Sequence, residues 1–357
     1  MAIQNLFWGL AQPFTGMIAD RFGPVRVMAT GTLLYLAGLV FMAYATTPLG
    51  LTLGAGVVIG IALSCTTFGV VYGALSRVVP IERRSWAMGL AGAVGGLGQF
   101  VMVPLSQELQ HWFGWPAALI LFGIAIAALA PTARTLSDQR SQEPILATAQ
   151  PTQSMGEAIQ EAFRHRGFWL LNAGFLACGF QLAFIASHLP AYLFDRGLSP
   201  RDGVAGLAII ALTNIGGTYA FGSWGGMYRR KHLLAGLYLA RTAAIAMFML
   251  VPLSPASVYV FCAVMGFLWL GTAPLTNGLV SGVFGVRYIT TLFGFVFFGH
   301  QLGGFLGVWL GGLVYDKTHS YSIIWTASMC LGLIAAALHL LIDDQPVTRP
   351  LQLREAT

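Results

Sequence analysis

Uninterrupted apolar runs of about 20 residues recur from one end of this chain to the other. At ~1.5 Å of rise per residue, each is long enough to cross the ~30 Å hydrocarbon layer of a bilayer as a helix. No water reaches a backbone in that layer, so each run must close its own N–H and C=O bonds, which a helix does. Charge is correspondingly scarce: 9% of the 357 residues, with 56% hydrophobic. A soluble domain carries roughly 25% charge, so this chain is read as an all-α polytopic membrane protein. The alternating ~10-residue segments of a membrane β-barrel are not its pattern.

Breaks marked by charges, Pro and Gly divide the chain into eleven expected spans: 2–19, 26–46, 50–74, 86–107, 115–131, 167–188, 203–224, 233–252, 256–280, 288–313 and 321–342. One long polar stretch, 132–166, divides five spans (1–131) from six (167–342) and is read as a central loop, with 343–357 as a tail. Residues 1–19 lack a basic leader and are interrupted by Gln4, Asn5 and Gln12, so they read as a span rather than a signal peptide. Alternating the loops between two sides puts fifteen of the nineteen Lys and Arg on one side and three on the other, with Arg241 inside a span. By the positive-inside rule the basic side, including the central loop and the C-terminus, is expected in the cytoplasm and the N-terminus outside.

The net charge of +6 is therefore assigned to topology. No basic patch is interleaved with aromatics, so nucleic acid is not an expected partner. Cys65, Cys178, Cys262 and Cys330 lie in apolar runs without metal spacing and read as small core hydrophobes. No metal or cofactor is expected. An enzyme is not expected either, because Ser64, Thr66 and Thr67 have no His or Asp beside them and the seven His form no H-E-x-x-H pattern.

The first basic loop reads GMIADRFGPVRV (16–27), and a similar segment, GSWGGMYRRKHLLAG, returns at 222–236 with the small residues and basic run but without the acid–arginine pair. Two corresponding loops suggest a duplicated transporter fold. GMIADRFGPVRV resembles the G-x-x-x-D-R-x-G-x-R signature of the major facilitator superfamily. The wider text, including QNLFWGLAQPFTG, GGLGQFVMVPL, FQLAFIASHLPAYLFD and GHQLGGFLGVWLGGLVYDKTHSY, is similar to its bacterial branch related to monocarboxylate and oxalate/formate carriers. The resemblance implies two pseudo-symmetric helical halves that rock about a central cavity. It also implies twelve helices with the signature after the second; here it follows the first, so the first family helix is expected to be missing, by truncation or a misplaced start.

From the resemblance, Gly16, Asp20, Arg21, Gly23 and Arg26 are expected to latch onto the start of the penultimate helix, near Arg287 to Thr291. Gly299, Gly303, Gly307 and Gly311 share one helix face and read as packing. Gly89, Gly92, Gly95, Gly96 and Gly98 form a second small-residue stretch but lack the family's Gly-Pro pair, so they assign no direction of transport. Arg241 and His300 are ionisable groups deep in spans, and with Gln301, Gln181, Gln99 and Asn214 they are the candidates for a substrate or proton path. No Asp or Glu lies near a span centre. An interior with cations and no carboxylate favours an anionic substrate.

The expected function is secondary transport of a small organic anion, a carboxylate with a coupling proton, by a monomer in a bacterial inner membrane. The rival readings are efflux of a neutral or drug-like solute and an inactive truncated fragment.

Overall fold

The computed structural model describes residues 1–136 and 153–349. The greater part of the central segment, 137–152 with Arg140, and the tail end, 350–357 with Arg354, lie outside the described residues. The described chain is helical throughout: α1 (Ala2–Phe22), α2 (Pro24–Ala43), α3 (Pro48–Val78), α4 (84–113) and α5 (115–128), then α6 (Met155–Arg164), α7 (Arg166–Asp195), α8 (Pro200–Met227), α9 (Arg230–Leu250), α10 (Pro255–Phe284), α11 (Ile289–Thr318) and α12 (Ser322–Leu340). Nine helical stretches among the described residues are long and apolar enough to cross a membrane. Dividing the 81–136 stretch at Gly114 and adding the more polar α1 gives the eleven spans, while α6, at 10 residues, is too short to cross.

Local chemistry sets the boundaries. Gly23 at φ 90° turns α1 into α2 in a single residue, and Pro24 starts α2 at a position that needs no N–H. Ser154, Ser199 and Ser254 open α6, α8 and α10 with reciprocal capping boxes. The expected loop at 108–114 is helix instead, because the chain reverses through Gly114 alone, at φ 75°. The expected polar loop 132–166 likewise contains α6, whose Ser154–Glu157 box is a helix start that the polar composition masked. Within spans, α3 breaks at Thr67 and α10 at 268–271.

The large hydrophobic core lies within 162–342, in the last six spans. Two seams join these to the first five spans. Along one, α1 packs on α11; along the other, α4 packs on α8. Glycine makes both seams close. A Cβ at Gly16 would stand 2.5 Å from the Thr290 carbonyl oxygen, and one at Gly89 would stand 2.8 Å from the Cα of Gly222. Neither neighbour is a side chain that can swing away. Gly89→Val should therefore open the α4–α8 seam at a cost of ~1–3 kcal/mol, read as a lowered melting temperature of the purified protein; an unchanged midpoint would mean the helices separate freely there.

The end of the chain is tied down. Arg349 pairs with Glu161 of α6 at 2.7 Å and donates to the Phe284 carbonyl at 2.9 Å, while the Val347 N–H reaches the Val283 carbonyl at 2.9 Å. Asp344 accepts from Arg229 in the turn between α8 and α9, at 2.5 and 3.2 Å. That hydrogen bond holds the Asp344 carboxyl below the ordinary carboxylate range. Its contribution is present above that range and is lost as pH falls through the lowered value.

Candidate functional site

At the Gly23 end of the bundle, Asp20 points from the last turn of α1 at the start of α11. Its Oδ2 accepts from the Thr291 N–H at 2.7 Å and from the Thr291 hydroxyl at 2.8 Å, while its Oδ1 pairs with Arg77 of α3 at 2.6 Å. Tyr288, the residue that precedes α11, supplies no side-chain cap, so Asp20 caps that helix from another element. A carboxylate there also meets the positive end of the helix dipole. The Asp20 side chain is fully buried. Gly16, one turn earlier, permits the approach. Arg21 and Arg26 are exposed and take no part in the ion pair. Arg77 enters from 57 residues away, which spacing in the sequence does not reveal.

The corresponding turn at 222–236 differs. Gly222 and Gly225 pack against Gly89 and Ser85 of α4 without any acid. The acid that its basic run lacks comes instead from the tail, as Asp344.

Midway along the bundle the break in α10 organises a second cluster. Arg241 of α9 is completely buried. Its Nε and Nη2 donate to the Leu268 carbonyl at 3.0 and 2.5 Å, Nη2 also donates to the Trp269 carbonyl, and Nη1 donates to Cys178 Sγ at 3.2 Å. On the other side of the break, Asn214 Oδ1 accepts the Leu270 N–H at 3.1 Å and the Thr218 hydroxyl at 2.8 Å. The interrupted helix thus recovers partners for backbone groups that lipid could not satisfy. Cys178 Sγ also lies 3.3 Å from Thr272 Oγ1.

His300 is half-buried, stacked on Phe297 with centroids 5.2 Å apart and tilted against Phe175 at 4.6 Å. One ring nitrogen meets Gln301 Oε1 at 2.9 Å. Trp8 of α1 packs on Phe297 at 5.2 Å, so the first five spans reach this cluster as well.

Of the six residues singled out for a substrate or proton path, Arg241, His300 and Gln301 come together, with Asn214 at the same break. Gln181 is fully buried and donates to the Ser328 carbonyl at 2.9 Å, tying α7 to α12. Gln99 is exposed on α4. The glycine ladder faces α7 rather than α1: Gly299 meets Asn172, Gly303 and Gly307 meet Phe180, and Gly311 meets His188. It is a seam inside the last six spans. Reading all four cysteines as core hydrophobes fails for Cys178, which is hydrogen-bonded, and for Cys330, which is exposed. An open apolar groove of about 360 Å³ lined by Met42, Leu51, Trp115 and Phe122 lies at the opposite end from Asp20 and has no charged group in its wall.

This architecture matches a family model, Major Facilitator Superfamily, over residues 1–308. The chain belongs to the major facilitator superfamily. Like other members it is a multi-pass membrane transporter and not an enzyme. Its relatives in this superfamily include an uncharacterised transporter, YcxA, of Bacillus subtilis, at 26% identity over 94% of this chain and 84% of the relative. Human monocarboxylate transporter 11 is 28% identical over 92% of this chain and 71% of its own length. The oxalate:formate antiporter of Oxalobacter formigenes is 27% identical over 85% and 72%. A solved structure of the major facilitator FucP in the outward conformation superposes with a TM-score of 0.70 at 15% identity, covering 96% of this chain and 89% of that one. At that identity the match speaks for the fold.

Proposed function

We propose that this major facilitator carries a small organic anion bearing a carboxylate, with a coupling proton, across a bacterial inner membrane. The observation that carries the reading is the Arg241 guanidinium, which has no ion-pair partner among the described residues and which, like the half-buried His300, acts electrostatically on Cys178. Arg241 is committed to the α10 break, so it acts on a substrate through its field rather than by direct contact. His300, with Phe175, Phe297 and Gln301 around it, is the group an anion meets. The monocarboxylate and oxalate:formate relatives support the substrate class.

In this reading two halves, 1–131 and 167–342, rock across the α1–α11 and α4–α8 seams. Asp20, Arg77 and Thr291 hold the cytoplasmic side shut, with the basic loops, the central segment and the tail on that side. Purified protein in proteoliposomes should accumulate radiolabelled lactate, formate or oxalate when the outside is acidic, and His300→Asn should lower that rate at least ~tenfold, the scale of one lost acid–base group. Indifference to all three anions, with or without a pH gradient, would remove the anion reading and leave the efflux reading of a neutral solute.

A further inference from the structure

A buried guanidinium stays protonated and needs negative charge nearby. The α10 carbonyls that Arg241 bonds supply part of it, since a helix C-terminus carries roughly half a negative charge. The rest of the guanidinium faces one sulfur. Cys178 Sγ accepts from Arg241 Nη1 at 3.2 Å and lies 3.3 Å from Thr272 Oγ1. A fixed cation that donates to a fully buried sulfur is met best by the thiolate, the form that neutralises the cation and accepts strongly.

We propose that Cys178 is the counter-ion of Arg241, held as a thiolate at rest, and that it takes up the coupling proton; the second part rests on the anion reading above. The groups facing this sulfur are Arg241 and Tyr238 from α9, Thr272 from α10, and His300 with Gln301 beside it from α11. His339 of α12 stands behind, stacked on Tyr238 at 5.0 Å. None of them is a carboxylate, and of the two groups that can be neutral or negative next to the arginine, the Cys178 thiol and the Tyr238 phenol, the thiol is ordinarily the more acidic.

The charges then balance through a cycle. At rest the guanidinium and the thiolate cancel. A carboxylate arriving beside His300 adds one negative charge, and one proton passing through the half-buried imidazole converts the thiolate to a thiol. The guanidinium field is thereby free to hold the carboxylate. Release reverses both steps: the carboxylate leaves, the S–H bond breaks, and the proton returns through His300. One proton moves with each carboxylate and no net charge crosses.

Two measurements test this on the full chain in lipid. In a variant keeping only Cys178, with Cys65, Cys262 and Cys330 changed to Ala, the infrared S–H stretching band should be absent at about pH 7, below the ordinary thiol value of ~8.5, and should grow on acidification. A band already at full height at neutral pH would overturn the thiolate. In proteoliposomes loaded with a one-unit pH gradient, the wild type should concentrate the labelled monoanions lactate and formate up to ~tenfold, the ratio one coupled proton supports. Cys178→Ser should abolish that concentration and Cys178→Asp, whose carboxylate can take the same proton, should restore it. Full concentration by Cys178→Ser would overturn the proton role. A wild type that moves none of lactate, formate and oxalate removes the transport reading alone, and the infrared band still decides the thiolate.

Discussion

Replacing Asp20 by Ala should open the bundle at the Gly23 end. The substitution removes the Asp20 carboxylate from Arg77 and leaves the Thr291 N–H, at the start of α11, without that acceptor. Breaking a buried ion pair from one side costs ~3–5 kcal/mol. Arg77 keeps a little solvent access, so we place the effect near the lower figure. About 3 kcal/mol corresponds to a shift on the order of a hundredfold between closed and open forms. Spin labels at the exposed positions Arg26 and Met227 would report it as a longer distance distribution. Asp20→Asn, which still accepts from Thr291 but carries no charge, should lie between. An unchanged distribution in Asp20→Ala would mean that glycine packing alone holds this end shut.

The second large effect is expected at Arg241. Arg241→Leu keeps an apolar body in the α9 position and leaves the carbonyls of Leu268 and Trp269 buried without donors. At ~1–3 kcal/mol for each orphaned group, the loss rivals the most damaging single substitutions. The yield of monodisperse protein and its melting temperature should both fall sharply. Arg241→Lys should recover only part, because an ammonium is a point donor and cannot span two carbonyls as the planar fork does. A well-folded Arg241→Leu that merely fails to transport would show that the break is held some other way and that the arginine serves substrate alone.

Much of the architecture was legible in the sequence because lipid imposes a simple rule on backbone groups. The eleven spans, the turn at Gly23 and the polar interruption after α5 all follow from where charge is absent and where Gly or Pro sits. The break in α10 was harder. Leu268, Trp269 and Leu270 are apolar, so hydropathy runs straight through them. The signal was Pro274, whose ring disfavours the helical bond at the Leu270 carbonyl four residues earlier. With that break identified, Arg241 and Asn214 could have been read as its two caps. Arg77 and Cys178 carried no signal at all, since one looks like any basic loop residue and the other like any small hydrophobe. Only tertiary proximity gives them partners.

Two of the ion pairs, Asp20–Arg77 and Asp344–Arg229, will respond differently to salt. Mobile ions act on charges that water can reach, and at physiological strength they screen over ~8 Å. Asp20 is sealed from water and Arg77 nearly so, with side-chain exposures of 0% and 15%, whereas Arg229 is 55% exposed beside Asp344. Raising the ionic strength should therefore loosen the tail from the turn before α9 while leaving Asp20 and Arg77 together. The cell's ionic milieu can tune how firmly the C-terminus is seated without touching the contact between α1 and α11.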